Sequence, residues 1–290
     1  MEKFVALSLS GVSLGAVLAV TALGFLLLYK ASGVINFAHG DLMTLGAYIA
    51  LWFVQDIGFA SPLAYVAALG VMFFVGVALE RVAHLPLRRH SHLTVIIATL
   101  AASIAIRGAV AYWQGSDPKS LPSPVDGAVV EVLGASVSAQ RLLVIGIGAA
   151  AIGALIFVFD RTSLGRQLRA LAEDPETARL QGVRADRLAM LVFGASASLA
   201  TLAGVLVAPL TALDLTFGFS LMVLAFAAAV VGGFGSLRGA VAAAMAIGVL
   251  QQLLGGYVLQ DYASTFPFVL MFLVIVVRPT GLVAVGRTRL

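Results

Sequence analysis

The sequence predicts an all-α integral membrane protein: a polytopic helical bundle of eight or nine spans, some of them short or broken. Three observations carry this. The 290 residues are 61% hydrophobic and only 11% charged, against roughly 25% charged in a soluble domain, and the mean hydropathy is +1.04. Apolar runs of spanning or near-spanning length recur along the whole chain. The arginines gather in a few of the loops between those runs. A soluble chain of this length has too little polar surface to cover so much apolar area, so the bilayer is its solvent.

The first run, residues 4–29, is long enough to span and has no basic segment before it, so it reads as a span and not as a cleaved signal. Further runs follow at 42–55, 60–79, 93–113, 142–159, 188–210, 219–233, 239–259 and 264–277. A span needs ~20 apolar residues, which leaves 42–55, 219–233 and 264–277 as tilted ends, half-helices or re-entrant segments. The whole chain, 1–290, reads as one transmembrane domain. Arginines mark one side: Arg81, Arg88 and Arg89, six between 160 and 187, then Arg278, Arg287 and Arg289. The other loops hold Asp56, Asp117, Asp126, Glu131, Asp214 and Asp261 with only Lys119 and Arg141. By the positive-inside rule the arginine set is cytoplasmic. Nine alternating spans fit an outer N-terminus and an inner C-terminus; eight require one short run not to cross. The loop 115–140, Pro- and Ser-rich in SDPKSLPSPVDG, reads as an irregular extracytoplasmic surface loop. Trp52, Tyr112 and Trp113 fall where an aromatic belt belongs.

Composition excludes several classes. Without cysteine there are no disulfides or thiolate metal sites. A pI near 9.7 does not imply nucleic acid here, because the basic residues sit in short loops between apolar runs.

Three polar segments interrupt the apolar pattern. In GVINFAHGDLMTLG (33–46), Asn36, His39 and Asp41 lie between two apolar runs, with Gly33 and Gly40 permitting a break in helical geometry. Such a break at membrane depth must be packed in protein or line a cavity, and Asp41 suits the positive end of the next helix. It reads either as a capped polar loop or as a break on a translocation pathway; a lone His39 is no metal site. In GGFGSLRG (232–239) the first and last glycines repeat the spacing of Gly33 and Gly40. This is the pattern of repeated halves whose broken segments meet at a substrate site, or else a tight inter-helix turn. No GK[ST] follows and no strand precedes, so it is no nucleotide loop. The pathway candidates are therefore Asn36, His39, Gly40, Asp41, Gly232, Gly235 and Gly239.

The third segment, 160–187, carries six arginines and five acids, while 142–159 and 188–213 carry no charge at all. Leu164, Leu168, Leu171 and Ala172 form an apolar stripe at helical spacing. Thr162 or Ser163 caps this helix, and Asp174 with Pro175 restarts a second one that ends near Gly182. Arg166, Arg169, Glu173, Glu176 and Arg179 then face outward. Five interspersed acids argue against a helix lying on anionic headgroups and for docking of a soluble partner. Arg107 and Glu80, near the ends of their runs, are expected to snorkel to an interface. The small-residue runs (Gly11, Gly15, Gly24; Gly194 to Gly204) suit close helix packing within a larger bundle.

With these motifs the chain resembles the permease subunits of branched-chain amino acid ABC importers. INFAHG within 33–48, the loop GRQLRALAEDPETARLQGVRADR (165–187), VVGGFGSLRGAVAAA (230–244) and RPTGL (278–282) carry the likeness. The resemblance implies a prokaryotic inner-membrane complex with a homologous second permease, two ATP-binding subunits and an extracytoplasmic solute-binding protein. It implies that Arg166, Arg169, Glu173, Asp174, Glu176 and Arg179 couple to the ATPase. It also implies that this chain binds no cofactor, ATP and Mg being used by the ATPases. Related members import urea, short amides or aromatic acids. An ion-coupled carrier or channel would instead need intramembrane acids with partners, for which only Asp41 qualifies. A membrane enzyme would need a ligand or nucleophile set, which His39, His84, His90 and His92 do not supply.

Overall fold

The computed structural model describes residues 1–87, 90–125, 127–258, 262–278 and 281–283. Arg88, Arg89, Asp126, Asp261, Arg287, Arg289, Pro279, Thr280 and the side chain of His92 lie outside the described residues. Among those described, helix α1 (Glu2–Ser32) is followed by α2 (His39–Gln55) and α3 (Ser61–Leu79). The latter continues through a π turn (Glu80–His84) into the short α4 (Leu85–Leu87). After α5 (His92–Gln114) come strands β1 (Val129–Val132) and β2 (Ala135–Ser138), then α6 (Ala139–Arg161), α7 (Ser163–Glu173) and α8 (Pro175–Leu180). Helices α9 (Ala185–Val207), α10 (Phe217–Gly232), α11 (Leu237–Tyr257) and α12 (Phe266–Val277) complete the chain.

Among the described residues six stretches are long and apolar enough to cross a membrane: Glu2–Ser32, Ser61–Leu87, Leu93–Gln114, Ala139–Arg161, Ala185–Leu210 and Leu237–Tyr257. The three runs too short to span comfortably are α2, α10 and α12, with 17, 16 and 12 residues. This is a polytopic all-α membrane protein. One segment departs from expectation. The loop 115–140 is not wholly irregular, because β1 and β2 pair antiparallel around Leu133 (φ 52) and Gly134 (φ 83). Two consecutive residues with positive φ make the tight turn whose twist suits a hairpin.

The chain divides into two compact units. The first comprises Met1–Leu23, Val125–Ile152 and Leu221–Leu290. In it α1 and α11 meet on glycine: a Cβ on Gly11 would lie 2.6 Å from the Val249 Cα, and one on Gly15 2.9 Å from the Met245 Cα. The second unit comprises Gly24–Pro124 and Gly153–Ser220. Its α2, α3 and α9 pack on one another, with Leu42, Met72 and Ala197 buried together between them. Small residues set these approaches, as hydrocarbon supplies no hydrophobic drive between helices. A Cβ on Gly76 of α3 would meet the Phe193 carbonyl of α9.

Candidate functional site

The break after α1 begins at Gly33, whose φ of +71 places it in the left-handed region that ends helices. Its N–H donates to the Tyr29 carbonyl (2.8 Å). Asn36 then shapes the turn. Its Oδ1 accepts from the Ala38 N–H (3.0 Å), and its carbonyl accepts from the His39 N–H (3.3 Å). The Phe37 N–H donates to the Thr99 hydroxyl of α5 (3.3 Å). The break is thus packed in protein, as irregular backbone at membrane depth must be. The Asn36 Nδ2 finds no hydrogen-bond partner among the described residues. It borders a cavity of about 10 Å³ lined also by His84, Thr99 and Phe193, room for a single water.

His39, the first residue of α2, is fully buried. The Ser196 hydroxyl of α9 donates to the Gly24 carbonyl of α1 (2.9 Å) and lies 3.2 Å from His39 Nδ1. A hydroxyl has one proton to give, so Nδ1–H is the donor toward Ser196. Ser196 of α9 thus links the start of α2, through His39, to α1 at Gly24. Gly40 has a different part from the one expected: it lies inside α2 and breaks nothing. A Cβ there would stand 2.8 Å from the Phe219 Cα and 2.9 Å from the Gly218 carbonyl oxygen. The bare backbone lets the start of α10 touch α2, where the Gly218 N–H donates to the Thr44 hydroxyl (2.9 Å).

Asp41 is 1% exposed and does not stand alone. Arg107 of α5 donates side-on, Nε to Oδ1 at 3.0 Å and one terminal nitrogen to Oδ2 at 3.4 Å. The Ser103 hydroxyl, one turn back on α5, donates to the same Oδ2. Phe219 lies under the guanidinium, 5.2 Å from ring centroid to Cζ. Arg107 thus does not snorkel to an interface: an opposite charge on the facing helix holds it in place. Nor does Glu80, 1% exposed, which sits 4.0 Å from His84 within the π turn. Sequence reading missed Arg107 as a site residue. The available signal was an acid, Asp41, at the head of one apolar run and a base, Arg107, within another.

The charged segment folds as two short helices. Thr162, and not Ser163, caps α7 by accepting from the Gly165 N–H (3.4 Å). The buried face is Gly165, Leu168 and Leu171, while Leu164 and Ala172 of the expected stripe are exposed. Gly165 sits so close to the Phe159 carbonyl that a Cβ has no room. Arg166, Glu173, Glu176 and Arg179 are exposed. Arg169 is not: its guanidinium folds back over the Phe159 ring at 5.3 Å and donates to the Phe159 carbonyl. Lys30, near the end of α1, lies 5.6 Å from the same ring. Arg169 therefore stitches α7 to the end of α6.

Asp174 caps α8. Its carboxylate accepts from the Thr177 hydroxyl and from the N–H groups of Thr177 and Glu176. Those bonds, the Thr177 hydroxyl first, hold its carboxyl below the ordinary value of 3.8. A lowered folded-state pKa makes the cap fully effective above about 3.8 and weakens it as pH falls through the lowered value. Asp174→Ala is expected to fray α8, measured as faster amide exchange at residues 176–180 with α7 unchanged; equal exchange in both proteins would show the cap to be idle.

Gly232, Gly235 and Gly239 belong to the other unit. Gly232 and Gly239 touch backbone to backbone, so a Cβ on either would overlap the other's carbonyl. Ser236 caps α11, accepting from the Gly239 N–H (2.9 Å). The residue with positive φ is Gly233, at +95, against which Gly281 packs, and the Leu282 N–H donates to the Val231 carbonyl (2.9 Å). This is a tight inter-helix turn strapped by the C-terminal segment. Each break opens on a left-handed glycine directly after its helix, Gly33 and Gly233, so the two motifs correspond with a shift of one position. No cluster of three metal-ligating side chains occurs among the described residues.

A family model and the similar sequences agree on one family. The family described as "Branched-chain amino acid transport system / permease component" matches residues 7–275. The high-affinity branched-chain amino acid transport system permease proteins LivH of Escherichia coli K12 and BraD of Pseudomonas aeruginosa are each 32% identical over 286 residues, covering 94% of this chain and 93% of theirs. A probable LivH of Methanocaldococcus jannaschii is 25% identical over 296 residues, covering 94% of this chain and 90% of its own. Among solved structures, PsaBC from Streptococcus pneumoniae in complex with Fab shares the fold. Its TM-score is 0.53 at 12% identity, over 93% of this chain and 91% of that one.

Proposed function

We propose, because this chain belongs to the family of branched-chain amino acid transport permease components, that it is the membrane-spanning subunit of an ABC importer for branched-chain amino acids. The observation that carries this reading is the α7–α8 pair in the setting of the family match. A surface of Arg166, Glu173, Asp174, Glu176 and Arg179 is held rigid from beneath by Arg169, Gly165 and two helix caps. Such a surface suits a soluble motor, since a membrane-lying helix would not carry acids among its arginines. The positive-inside rule supports a cytoplasmic position for it and for the C-terminus. In this reading two ATP-binding subunits engage α7 and α8, and a homologous permease completes the pathway. An extracytoplasmic solute-binding protein delivers cargo near the hairpin and 115–140. Asn36, His39, Gly40, Asp41 and the 232–239 turn shape the pathway within their units. ATP and Mg stay with the motors, and this chain holds no cofactor.

The reading is tested by reconstituting the chain with its genomic-neighbour permease, ATPases and binding protein in liposomes. ATP-driven uptake of labelled leucine, isoleucine or valine is expected, and none with the chain alone. Because Arg169 is part of the fold, the informative docking variant is Glu173→Ala with Glu176→Ala and Arg179→Ala. This triple variant is expected to insert normally and to lose at least ~10-fold in uptake, the effect of about 1.4 kcal/mol of docking energy. Uptake within twofold of the parent would remove α7 and α8 as the docking surface.

A further inference from the structure

We infer that Arg107 is a cargo-contacting residue, its guanidinium edge receiving the carboxylate of the solute as it passes, with Asp41 and Ser103 as the positioning residues that aim it. This rests on the proposed import function and deepens it by naming the part of the cargo that is recognised.

Arg107 lies seven residues from the end of α5 at Gln114, about 10 Å at 1.5 Å per residue. That end is marked by Trp113, which meets Trp52 of α2 edge-on at 6.0 Å. On its other side fifteen residues separate it from His92, about 22 Å. The guanidinium is therefore deep within the span, yet the side chain is 32% exposed. A cation at this depth is not left facing hydrocarbon, so the open side faces a water-filled path or a partner helix. Arg107 carries five N–H donors, of which two go to Asp41. Among the described residues it makes no other hydrogen bond. Three donors remain, two of them parallel on the outer edge, the number a carboxylate accepts in a fork.

Asp41 does not compete for cargo. It is buried, its oxygens being taken by Arg107 and Ser103, and Phe219 closes one face of the guanidinium. The arrangement fixes the plane of the fork and neutralises its charge at rest. A zwitterionic amino acid adds no net charge to the pair, which spares the site an uncompensated charge in low dielectric. A neutral solute such as urea has no carboxylate for this edge to hold.

The test uses the full complex in proteoliposomes, with uptake expressed per assembled complex. Arg107→Lys keeps a cation opposite Asp41, so the fold stands, but a point charge cannot serve Asp41 and a carboxylate as the fork does. Asp41→Asn with Arg107→Gln removes both charges while leaving hydrogen-bonding isosteres. Turnover is expected to fall roughly 10-fold in the first and 10–100-fold in the second, the range for losing a charge-assisted hydrogen bond. The concentration of liganded binding protein giving half-maximal uptake should stay put, because docking lies elsewhere. Turnover within twofold of the parent in the lysine variant, or in an assembled double variant, overturns the assignment. If the parent imports a different carboxylate and the variants still lose turnover, the branched-chain reading fails and Arg107 stands. Leucine uptake with unaffected variants has the opposite meaning, and a neutral cargo overturns both.

Discussion

Arg107→Leu is expected to destabilise the folded chain by about 3–5 kcal/mol, the cost of breaking a buried ion pair by removing one partner. The reason is the burial of Asp41, which at 1% exposure cannot recover water once its counter-ion is gone. The remaining help is small. Ser103 still donates to Oδ2, and a carboxylate in the first turn of α2 gains about 0.3–1 kcal/mol from the helix dipole. The double variant with Asp41→Asn and Arg107→Gln removes the same contacts without stranding a charge, and it should recover most of the loss. Thermal or denaturant unfolding in detergent compares the three proteins directly. Equal destabilisation of the single and the double variants would mean that packing, and not an uncompensated charge, sets the cost.

The second large effect is expected at Gly40. In Gly40→Ala the new methyl would lie 2.8 Å from the Phe219 Cα and 2.9 Å from the Gly218 carbonyl. Both are backbone atoms, so no side-chain rotation relieves the overlap and α10 has to move away from α2. Overpacking of this kind costs about 1–3 kcal/mol, and the upper half of that range is expected here. Displacing α10 also draws Phe219 off the Arg107 guanidinium and breaks the bond from the Gly218 N–H to Thr44, so uptake should fall beyond what stability alone explains. Gly70→Ala is the control. That glycine has nothing within 4 Å of an added Cβ, and its replacement should be neutral to within about 0.5 kcal/mol. If both alanine variants unfold alike, the close crossing of α2 and α10 has no energetic weight.

Part of the site is legible in the sequence. The charged helices at 160–187 are marked out because their cap residues act locally: Thr162 and Asp174 bond N–H groups two or three residues ahead, which spacing alone reveals. The same reasoning misplaces Arg169, because its partner is the Phe159 ring ten residues back and across a turn. Leu164 is misjudged for a related cause. Periodicity gives the stripe's direction only to within a residue, and the neighbouring helix decides which edge is covered. Gly33 is legible as a helix breaker, since a left-handed turn needs its missing Cβ. Gly40 looks the same in sequence but serves a contact with a helix almost 180 residues away.

By itself, then, the sequence determined the class, the positions of the apolar runs, which runs were too short to span comfortably, the charged surface and the family. The family rests on the likeness of whole motifs; the rest follows from short-range rules: hydropathy over a window, capping over one turn, arginine counts per loop. Only the tertiary structure decided that Asp41 is neutralised by Arg107, that His39 serves Ser196, and that 129–138 closes as a hairpin. Those outcomes depend on which side chains a fold brings together. In a low-dielectric interior it is the partner found there that settles whether a charge is a burden, a brace or a binding edge.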